Sequence, residues 1–245
     1  MLLTFLYHRI DEGKYANSKK NIEDNFLHLA KKYKIVLPGD RIALFKTNIC
    51  LTFDDGYFDF YYFVFPLLKK YKIKAQLAVP VKYIEESTSL DPETRLSVPY
   101  AEGMKKPFLS KVPFCTWEEL KEMSDSGYVS IASHSYSHKN LLDDDVDLYL
   151  EIVESKKIIE KKLGKEVTTF VYPLGKFNDE IHKLTLKHYK YSMRIGSTFN
   201  LSWKNINNIT YRIISDNLKS KNEKIKVLPF ISYIWFYFLN TFRGR

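Results

Sequence analysis

Two pairs of side chains in this sequence could together hold and use a metal ion. Asp54 and Asp55 are adjacent within residues 52–56, and His134 and His138 stand four positions apart later in the chain. Catalytic zinc sites take three ligands from imidazole and carboxylate groups and leave one position open for water or substrate. Adjacent carboxylates diverge, so one can bind the ion while the other accepts a proton. The combination predicts metal-assisted hydrolysis.

Each pair alone has a plainer interpretation. An Asp-Gly step after an apolar run is often only a turn, and a His pair at this spacing is often a surface coincidence. Here both pairs follow apolar runs typical of buried strands, at residues 49–53 and 129–132. The C-terminal ends of barrel strands carry the active site in α/β barrels. We therefore expect the four side chains to meet there, with the two histidines on one face of a helical turn.

Strand-like runs alternate with helical patterns along the chain, which is typical of βα units around a parallel sheet. The predicted strands are 2–7, 49–53, 74–79, 129–132, 168–172, 191–195 and 210–214, and the predicted helices are 22–33, 58–71, 117–126, 146–163 and 179–189. A capping box at Thr116 and Glu119 begins one helix, and Gly127 and Gly164 are expected to follow helix ends. Residues 85–113 interrupt the alternation, which predicts a long loop or insertion and a candidate wall of the active site.

Composition places the chain among globular proteins. It has 245 residues, 45% hydrophobic and 27% charged, enough for one α/β barrel domain. The net charge of +9 favours an anionic neighbour. Its lysines are scattered along helix faces without a recognisable nucleic-acid module, so we expect a solvated surface and no nucleic-acid partner. Cys50 and Cys115 predict two buried thiols rather than a disulfide framework.

The C-terminal segment differs from the rest, so we divide the chain into a barrel at 1–218 and a basic, apolar tail at 219–245. Val227–Phe242 is apolar and aromatic, and is shorter than the roughly twenty residues of a spanning helix. Basic residues flank it: Lys219, Lys221, Lys224 and Lys226 before, Arg243 and Arg245 after. Two interpretations stay open, an interfacial helix on anionic lipid and a terminal helix packed on the barrel or a partner subunit.

The N-terminal residues 1–8 lack the basic region and cleavage site of a signal peptide and instead predict a strand. We therefore expect a cytoplasmic location, peripheral to the inner face of the membrane if the tail binds lipid.

The motifs taken together resemble a known family. Residues 52–56, 134–138 and 170–175 are similar, in order and in placement after strands, to the successive motifs of NodB-type polysaccharide deacetylases, carbohydrate esterase family 4. Residues 7–10 resemble the branch that includes the poly-N-acetylglucosamine deacetylases. The resemblance extends from His8 to about residue 214. It implies a distorted (β/α)7 barrel with one divalent ion at its mouth, Zn²⁺ or alternatively Co²⁺, Ni²⁺ or Mn²⁺.

The resemblance also implies roles for individual residues. Asp55, His134 and His138 would be the metal ligands, and Asp54 would be the general base toward the attacking water. His8 would be the general acid toward the leaving amine, with a merely structural histidine as the alternative.

Three further residues are expected on the substrate or oxyanion side. The backbone N–H of Leu174 would share the developing oxyanion with the metal, and Tyr172 belongs to the same motif. Arg212 matches an arginine often found late in the family, and it could orient the site or pair with a carboxylate. Two departures, Leu174 in place of a common aromatic residue and the absence of an arginine before this motif, bear on the substrate more than on the reaction.

These observations predict a metal-dependent hydrolase of a non-peptide C–N bond, acting on N-acetylated sugars of a polysaccharide or glycan precursor. A catalytically silent carbohydrate-binding or scaffold protein on the same barrel is one alternative, and an O-acetyl esterase is another. His28, His182 and His188 lie within helical patterns and are expected to be surface or packing residues.

Overall fold

Seven parallel strands close into a barrel in the computed structural model, which describes residues 1–205 and 207–242. The described strands are β1 (Leu2–Tyr7), β2 (Arg9–Ile10), β3 (Ala16–Asn17), β4 (Lys34–Ile35), β5 (Asn48–Phe53), β6 (Ala75–Val79), β7 (Val129–Ser133), β8 (Thr169–Val171), β9 (Tyr191–Ile195) and β10 (Ile209–Ile214). Around the ring the order is β1, β5, β6, β7, β8, β9 and β10, and β1 pairs with both β10 and β5 to close it. Of the described strands, three short ones lie outside this ring: β4, which pairs with β5, and the separate pair β2–β3. The predicted (β/α)7 barrel is confirmed.

Helices follow most barrel strands and pack on the outside of the ring. They are α1 (Lys19–Lys32), α2 (Phe65–Tyr71), α3 (Pro92–Leu96), α4 (Lys106–Leu109), α5 (Trp117–Asp125), α6 (Ser155–Leu163), α7 (Asp179–His188) and α8 (Val227–Phe242). π-helical turns at Phe60–Val64 and Tyr149–Glu154 lead into α2 and α6. The capping box of α5 is present. Gly127 and Gly164 have positive φ at helix ends, as predicted.

Alternation along the strands divides the core in two, because successive side chains of a strand point to opposite faces. Outward side chains such as Phe5 and Leu51 pack in the large cluster that also holds the apolar faces of the helices. Inward side chains such as Cys50 and Ala132 form a smaller cluster of mostly small residues inside the ring. Both cysteines are free and buried, as expected. On β5 the inward series Cys50 and Thr52 leads to Asp54.

The predicted insertion 85–113 is a compact wall with short helices. Arg95, on α3, is 4% exposed and holds the wall to the barrel. Its guanidinium donates to both carboxylate oxygens of Glu119 at 2.6 and 2.9 Å and lies over the Phe58 ring at 3.5 Å. A charged side chain buried in this way needs such partners. The wall is therefore fixed in place beside the strand ends.

Candidate metal centre

The C-terminal ends of four barrel strands meet at the mouth of the barrel. His8 directly follows β1, Asp54 and Asp55 follow β5, and His134 follows β7. Asp216 lies two residues beyond the end of β10. Because all seven strands are parallel, these ends share one edge. The structure thus brings together residues that are as far apart in the sequence as 8 and 216.

Asp55, His134 and His138 form a group whose ligand atoms all lie within 4.8 Å of one another. Asp55 Oδ1 is 3.3 Å from His138 Nε2 and 3.5 Å from His134 Nε2. The aspartate and His134 are buried, while the His138 side chain is 17% exposed. The group therefore opens to solvent on one side only, as a catalytic metal site requires.

The two oxygens of Asp55 have different surroundings. Oδ2 accepts a hydrogen bond from the Tyr100 hydroxyl at 2.9 Å. Oδ1, which faces the histidines, is buried and has no hydrogen-bond partner among the described residues. A buried oxygen without a partner is costly unless an ion or water completes its environment. Asp55 reaches this position with φ of +70°, a backbone conformation uncommon for a non-glycine residue.

His134 has the tautomer that ligation requires. Its Nδ1 lies 2.8 Å from the carbonyl oxygen of Val171, which can only accept, so Nδ1 carries the proton and Nε2 presents its lone pair to Asp55. Burial lowers the pKa of His134 to about 4, against the opposing charges of Asp54 and Asp55, so the ring is neutral near pH 7. A neutral imidazole oriented by a carbonyl is the usual form of a metal-bound histidine.

The helical turn predicted for His134 and His138 is wrong. Residues 134–138 form an irregular loop, with positive φ at Ser135 (67°) and His138 (57°), and the two imidazole rings lie 4.7 Å apart. Buried Glu151, from the π-helical turn before α6, holds this loop. It accepts from the backbone N–H groups of Tyr136 (2.9 Å) and Ser137 (2.8 Å) and from the Ser137 hydroxyl. These long-range bonds replace the local bonds that a helix would have supplied.

Asp54 lies beside the group, and Arg212 holds it in place. The guanidinium donates from Nη1 to Oδ1 at 2.6 Å and from Nη2 to Oδ2 at 2.8 Å. Burial raises the pKa of Asp54, but the charge and the hydrogen bonds of Arg212 outweigh it and keep that pKa below its ordinary range. Asp54 Oδ2 lies 3.7 Å from His134 Nε2. Arg212 is 1% exposed, so it contacts the carboxylate and not a substrate-facing surface.

His8 follows β1, the neighbour of β5 in the ring, and is bound to Asp216. Its Nδ1 is 2.7 Å from Asp216 Oδ2, and its backbone N–H donates to Oδ1 at 3.0 Å. Burial disfavours the charged imidazole, but the hydrogen bond and charge of Asp216 outweigh it and raise the pKa of His8 to about 9. The side chain is 13% exposed and so can reach a substrate.

Tyr172 does not line the mouth, contrary to the prediction. Its side chain is fully buried, stacks on Phe177 at 4.2 Å and bonds through its hydroxyl to Nδ1 of His182 at 2.7 Å. The reason is strand alternation, since Val171 points inward and its neighbour must point outward toward α7. His182 is a packing residue, as expected. Leu174 is exposed in the turn Pro173–Gly175 at the end of β8, with φ of 57°.

Three residues of the site escaped the sequence-based interpretation. Asp216, Glu151 and Tyr100 contact His8, the 134–138 loop and Asp55, respectively. For Asp216 there was a usable signal, because it closely follows the strand that carries Arg212. Glu151 looks like any helix-surface glutamate, and Tyr100 lies in an irregular segment, so neither has a local signal.

The residues of this centre fit a divalent cation. Two imidazole Nε2 atoms and one unpartnered carboxylate oxygen converge from one side, and a partly exposed histidine leaves the other side open. Two histidines and one carboxylate suit Zn²⁺ and also other first-row divalent ions. Tyr100, Val171 and Glu151 supply the outer contacts that orient such ligands.

Comparison with known proteins identifies a family that this chain matches. The family model described as polysaccharide deacetylase matches residues 44–193. The protein YxkH of Bacillus subtilis (strain 168) is 28% identical over 193 residues, which cover 74% of this chain and 60% of YxkH. Poly-β-1,6-N-acetyl-D-glucosamine N-deacetylase of Escherichia coli (strain K12) is 29% identical over 89 residues, 36% of this chain and 12% of that protein. The chain thus spans less than two thirds of the length of either relative.

The fold also has solved counterparts. The crystal structure of a polysaccharide deacetylase from Bacillus cereus aligns with a TM-score of 0.73 at 22% identity, over 91% of this chain and 67% of that one. At this level of identity the likeness shows a shared fold.

Proposed function

The chain belongs to the polysaccharide deacetylase family, and we propose that it is a metal-dependent hydrolase of N-acetylated sugars in a polysaccharide or glycan precursor. One observation carries the proposal. Asp55, His134 and His138 present three ligand atoms within 4.8 Å of one another, and the Asp55 oxygen among them has no other partner in the described chain. A divalent cation held there would supply Lewis-acid activation of water and of an acetyl carbonyl.

In the proposed mechanism, Asp54 accepts the proton of the attacking water. It borders the ligand group, and its pairing with Arg212 keeps it ionised. A base must be deprotonated before it can act, and it must lie close to the proton it removes. The two adjacent carboxylates have different partners. Both oxygens of Asp54 are bound by Arg212, whereas Asp55 Oδ1 has no partner in the described chain and is available to bind the ion.

In the proposed mechanism, His8 donates a proton to the leaving group. Asp216 keeps the imidazole protonated near neutral pH and fixes its orientation. An amide nitrogen is a poor leaving group unless it is protonated, whereas an ester oxygen depends less on such help. The cationic His8 therefore favours an N-acetyl over an O-acetyl substrate. The Leu174 N–H, at the end of β8, is the candidate oxyanion donor.

An acetate-release assay tests the proposal. The protein is loaded with Zn²⁺ and given an oligomer of β-1,6-linked N-acetylglucosamine, the glycan in the Escherichia coli relative's name, or an O-acetylated glucose. We expect release from the N-acetyl substrate and a slower reaction with the ester. Faster release from the ester would instead assign an O-acetyl esterase, and stoichiometric metal without release from either would assign a silent protein.

The Asp54→Asn variant tests the proposed base. Asparagine keeps the shape but cannot take the proton, so we expect the rate to fall roughly 10²–10⁴-fold. Metal content, measured by mass spectrometry, should remain at one ion per chain. Asp144→Asn, which removes an exposed carboxylate far along the chain, is the matched control and should keep the wild-type rate. Near-normal turnover in Asp54→Asn would show that another group is the base.

A further inference from the structure

Helix α8 has one face on the barrel. Tyr233 is 5% exposed, and its carbonyl oxygen accepts from the Thr198 hydroxyl at 2.6 Å. The Tyr237 ring stacks on Phe199 with ring centroids 4.9 Å apart. Both contacts are to the segment that follows β9. This face of the helix therefore packs on the barrel, and these contacts set the orientation of α8.

The opposite face of α8 is apolar and uncovered. Its side chains lie three, four, seven and eleven positions after the first, which places them in one stripe about 100° wide. They are between 41% and 85% exposed, and we call them the outer face: Ile231, Ile234, Trp235, Phe238 and Phe242. Contiguous apolar surface of this kind on a folded protein marks an interaction site.

The length and composition of α8 limit what can bind to its outer face. The helix has sixteen residues, none of them charged. At about 1.5 Å per residue it is roughly 24 Å long, short of the roughly 30 Å hydrocarbon core of a bilayer. Among the residues that the structure describes, no helix is long and apolar enough to cross a membrane. The binding partner of the outer face must therefore lie along one side of the helix.

The basic residues before and after the helix in the sequence favour an anionic binding partner. Lys219, Lys221 and Lys226 precede α8 and are exposed. Two arginines, at positions 243 and 245, follow it in the sequence and lie outside the described residues. If two copies of the chain paired through this face, basic residues of one copy would approach basic residues of the other, whether the two helices ran parallel or antiparallel. An anionic lipid surface instead attracts each of these residues.

We propose that α8 docks the protein on an anionic bilayer surface. The outer face enters the boundary between headgroups and acyl chains, where Trp and Phe side chains are favoured, and the flanking lysines contact anionic headgroups. The barrel face keeps its contacts with Thr198 and Phe199, so docking needs no rearrangement of the barrel. This inference is independent of the proposed deacetylase activity.

Flotation of the full chain with vesicles tests the proposal. We expect the chain to bind vesicles of phosphatidylcholine and phosphatidylglycerol (3:1) at least about tenfold more tightly than pure phosphatidylcholine, and less tightly as salt rises. Tryptophan fluorescence gives a second readout. Trp235 is 64% exposed, whereas Trp117 and Trp203 are 7% and 8% exposed. A blue shift and quenching by brominated lipid on binding would therefore come from Trp235.

The outer face is tested by the triple variant Ile231→Ser, Trp235→Ser, Phe238→Ser. We expect its vesicle affinity to fall at least about tenfold, with unchanged circular dichroism and Tm because the altered side chains are exposed. The control removes three apolar side chains elsewhere that are at least as exposed: Leu44→Ser, Phe45→Ser, Leu201→Ser. It should bind vesicles like the wild type.

The charge contribution is tested by Lys219→Gln, Lys221→Gln, Lys226→Gln. We expect its preference for anionic vesicles to fall roughly tenfold or more. The control, with the same change in net charge, is Lys106→Gln, Lys161→Gln, Lys187→Gln, all exposed positions away from α8.

Three results would overturn the proposal. The first is equal wild-type binding to neutral and anionic vesicles, and the second is full binding by the outer-face variant. The third is a wild-type dimer in analytical ultracentrifugation that the outer-face variant lacks, with no vesicle binding, which would assign the face to a second copy of the chain.

Discussion

Two histidines at the barrel mouth, His134 and His8, have opposite character because the Nδ1 atoms of the two rings have different partners. Nδ1 of His134 donates to the carbonyl oxygen of Val171, and burial lowers the pKa of this ring to about 4. Nδ1 of His8 faces the carboxylate of Asp216, which raises the pKa of His8 to about 9. One ring is neutral and the other is cationic at the same pH.

In the proposed mechanism, this difference lets one end of the barrel hold a cation and deliver a proton. A neutral carbonyl orients an imidazole without favouring its charged form, which leaves Nε2 free to ligate. A carboxylate stabilises the charged form and so prepares a proton donor. We call these the ligand side (Asp55, His134, His138) and the acid side (His8, Asp216). Substitutions that disturb one side should leave the other side intact.

The largest effect should come from His134→Ala on the ligand side. Loss of a residue that only orients a ligand lowers metal affinity by up to roughly 100-fold. Loss of one of the three ligands themselves should lower it by much more, and turnover should be lost with the metal. Metal content after dialysis and acetate release measure the two losses. His28→Ala, which removes a histidine of α1, is the control and should change neither. Retention of stoichiometric metal by His134→Ala would show that the ion is held elsewhere.

Asp216→Asn should act on the acid side alone. A general acid must be protonated, so kcat/KM should hold below the His8 pKa and fall as pH rises through it. Without the Asp216 charge, the His8 pKa drops and the alkaline fall begins at lower pH. At mildly alkaline pH we expect a loss of roughly tenfold or more, with little change at acidic pH and normal metal content. If kcat/KM of the variant and of the wild type fell at the same alkaline pH, the role assigned to His8 would be contradicted.

Glu151→Gln should loosen the ligand side through the 134–138 loop. The amide group cannot accept from two backbone N–H groups and a hydroxyl as the carboxylate does. We expect metal affinity to fall roughly tenfold, with the alkaline limb set by His8 unchanged. Glu154→Gln, one turn away and paired with Lys157 at the surface, is the matched control. Equal metal affinity in both variants would make Glu151 merely structural.

Tyr100→Phe should have the smallest effect. It deletes one hydrogen bond to Asp55 Oδ2 and keeps the ring, so a loss of about 1 kcal/mol, or about fivefold in metal affinity, is expected. Tyr15→Phe changes a neighbouring ring at the same mouth and should leave metal affinity unchanged. Isothermal titration of the metal-free variants with Zn²⁺ compares them. Identical affinities would show that Tyr100 does not support the ligand side.

Local sequence patterns predicted the features of the fold that depend on strand alternation and on the order of strands and helices along the chain. The inward series on β5 leads directly to Asp54, and the apolar runs correctly located the barrel strands. That parallel strand ends meet at one edge was enough to expect Asp55 and His134 near each other.

The rest depends on contacts between distant segments. Residues 134–138 have a spacing that suits a helix, but their conformation is set by Glu151, from another element. The His8–Asp216 pair exists only because β1 and β10 close the ring. Tyr172 was placed wrongly because β8 has only three residues, too few to show from the sequence which alternate positions face inward.

Anomalous diffraction from crystals soaked in Zn²⁺ tests the proposed metal centre most directly. We predict one strong peak about 2.0–2.2 Å from Asp55 Oδ1 and from the Nε2 atoms of His134 and His138, with Asp54 still paired to Arg212. The absence of a peak at that point under saturating zinc, or a peak bound by Asp54 instead of Asp55, would contradict it.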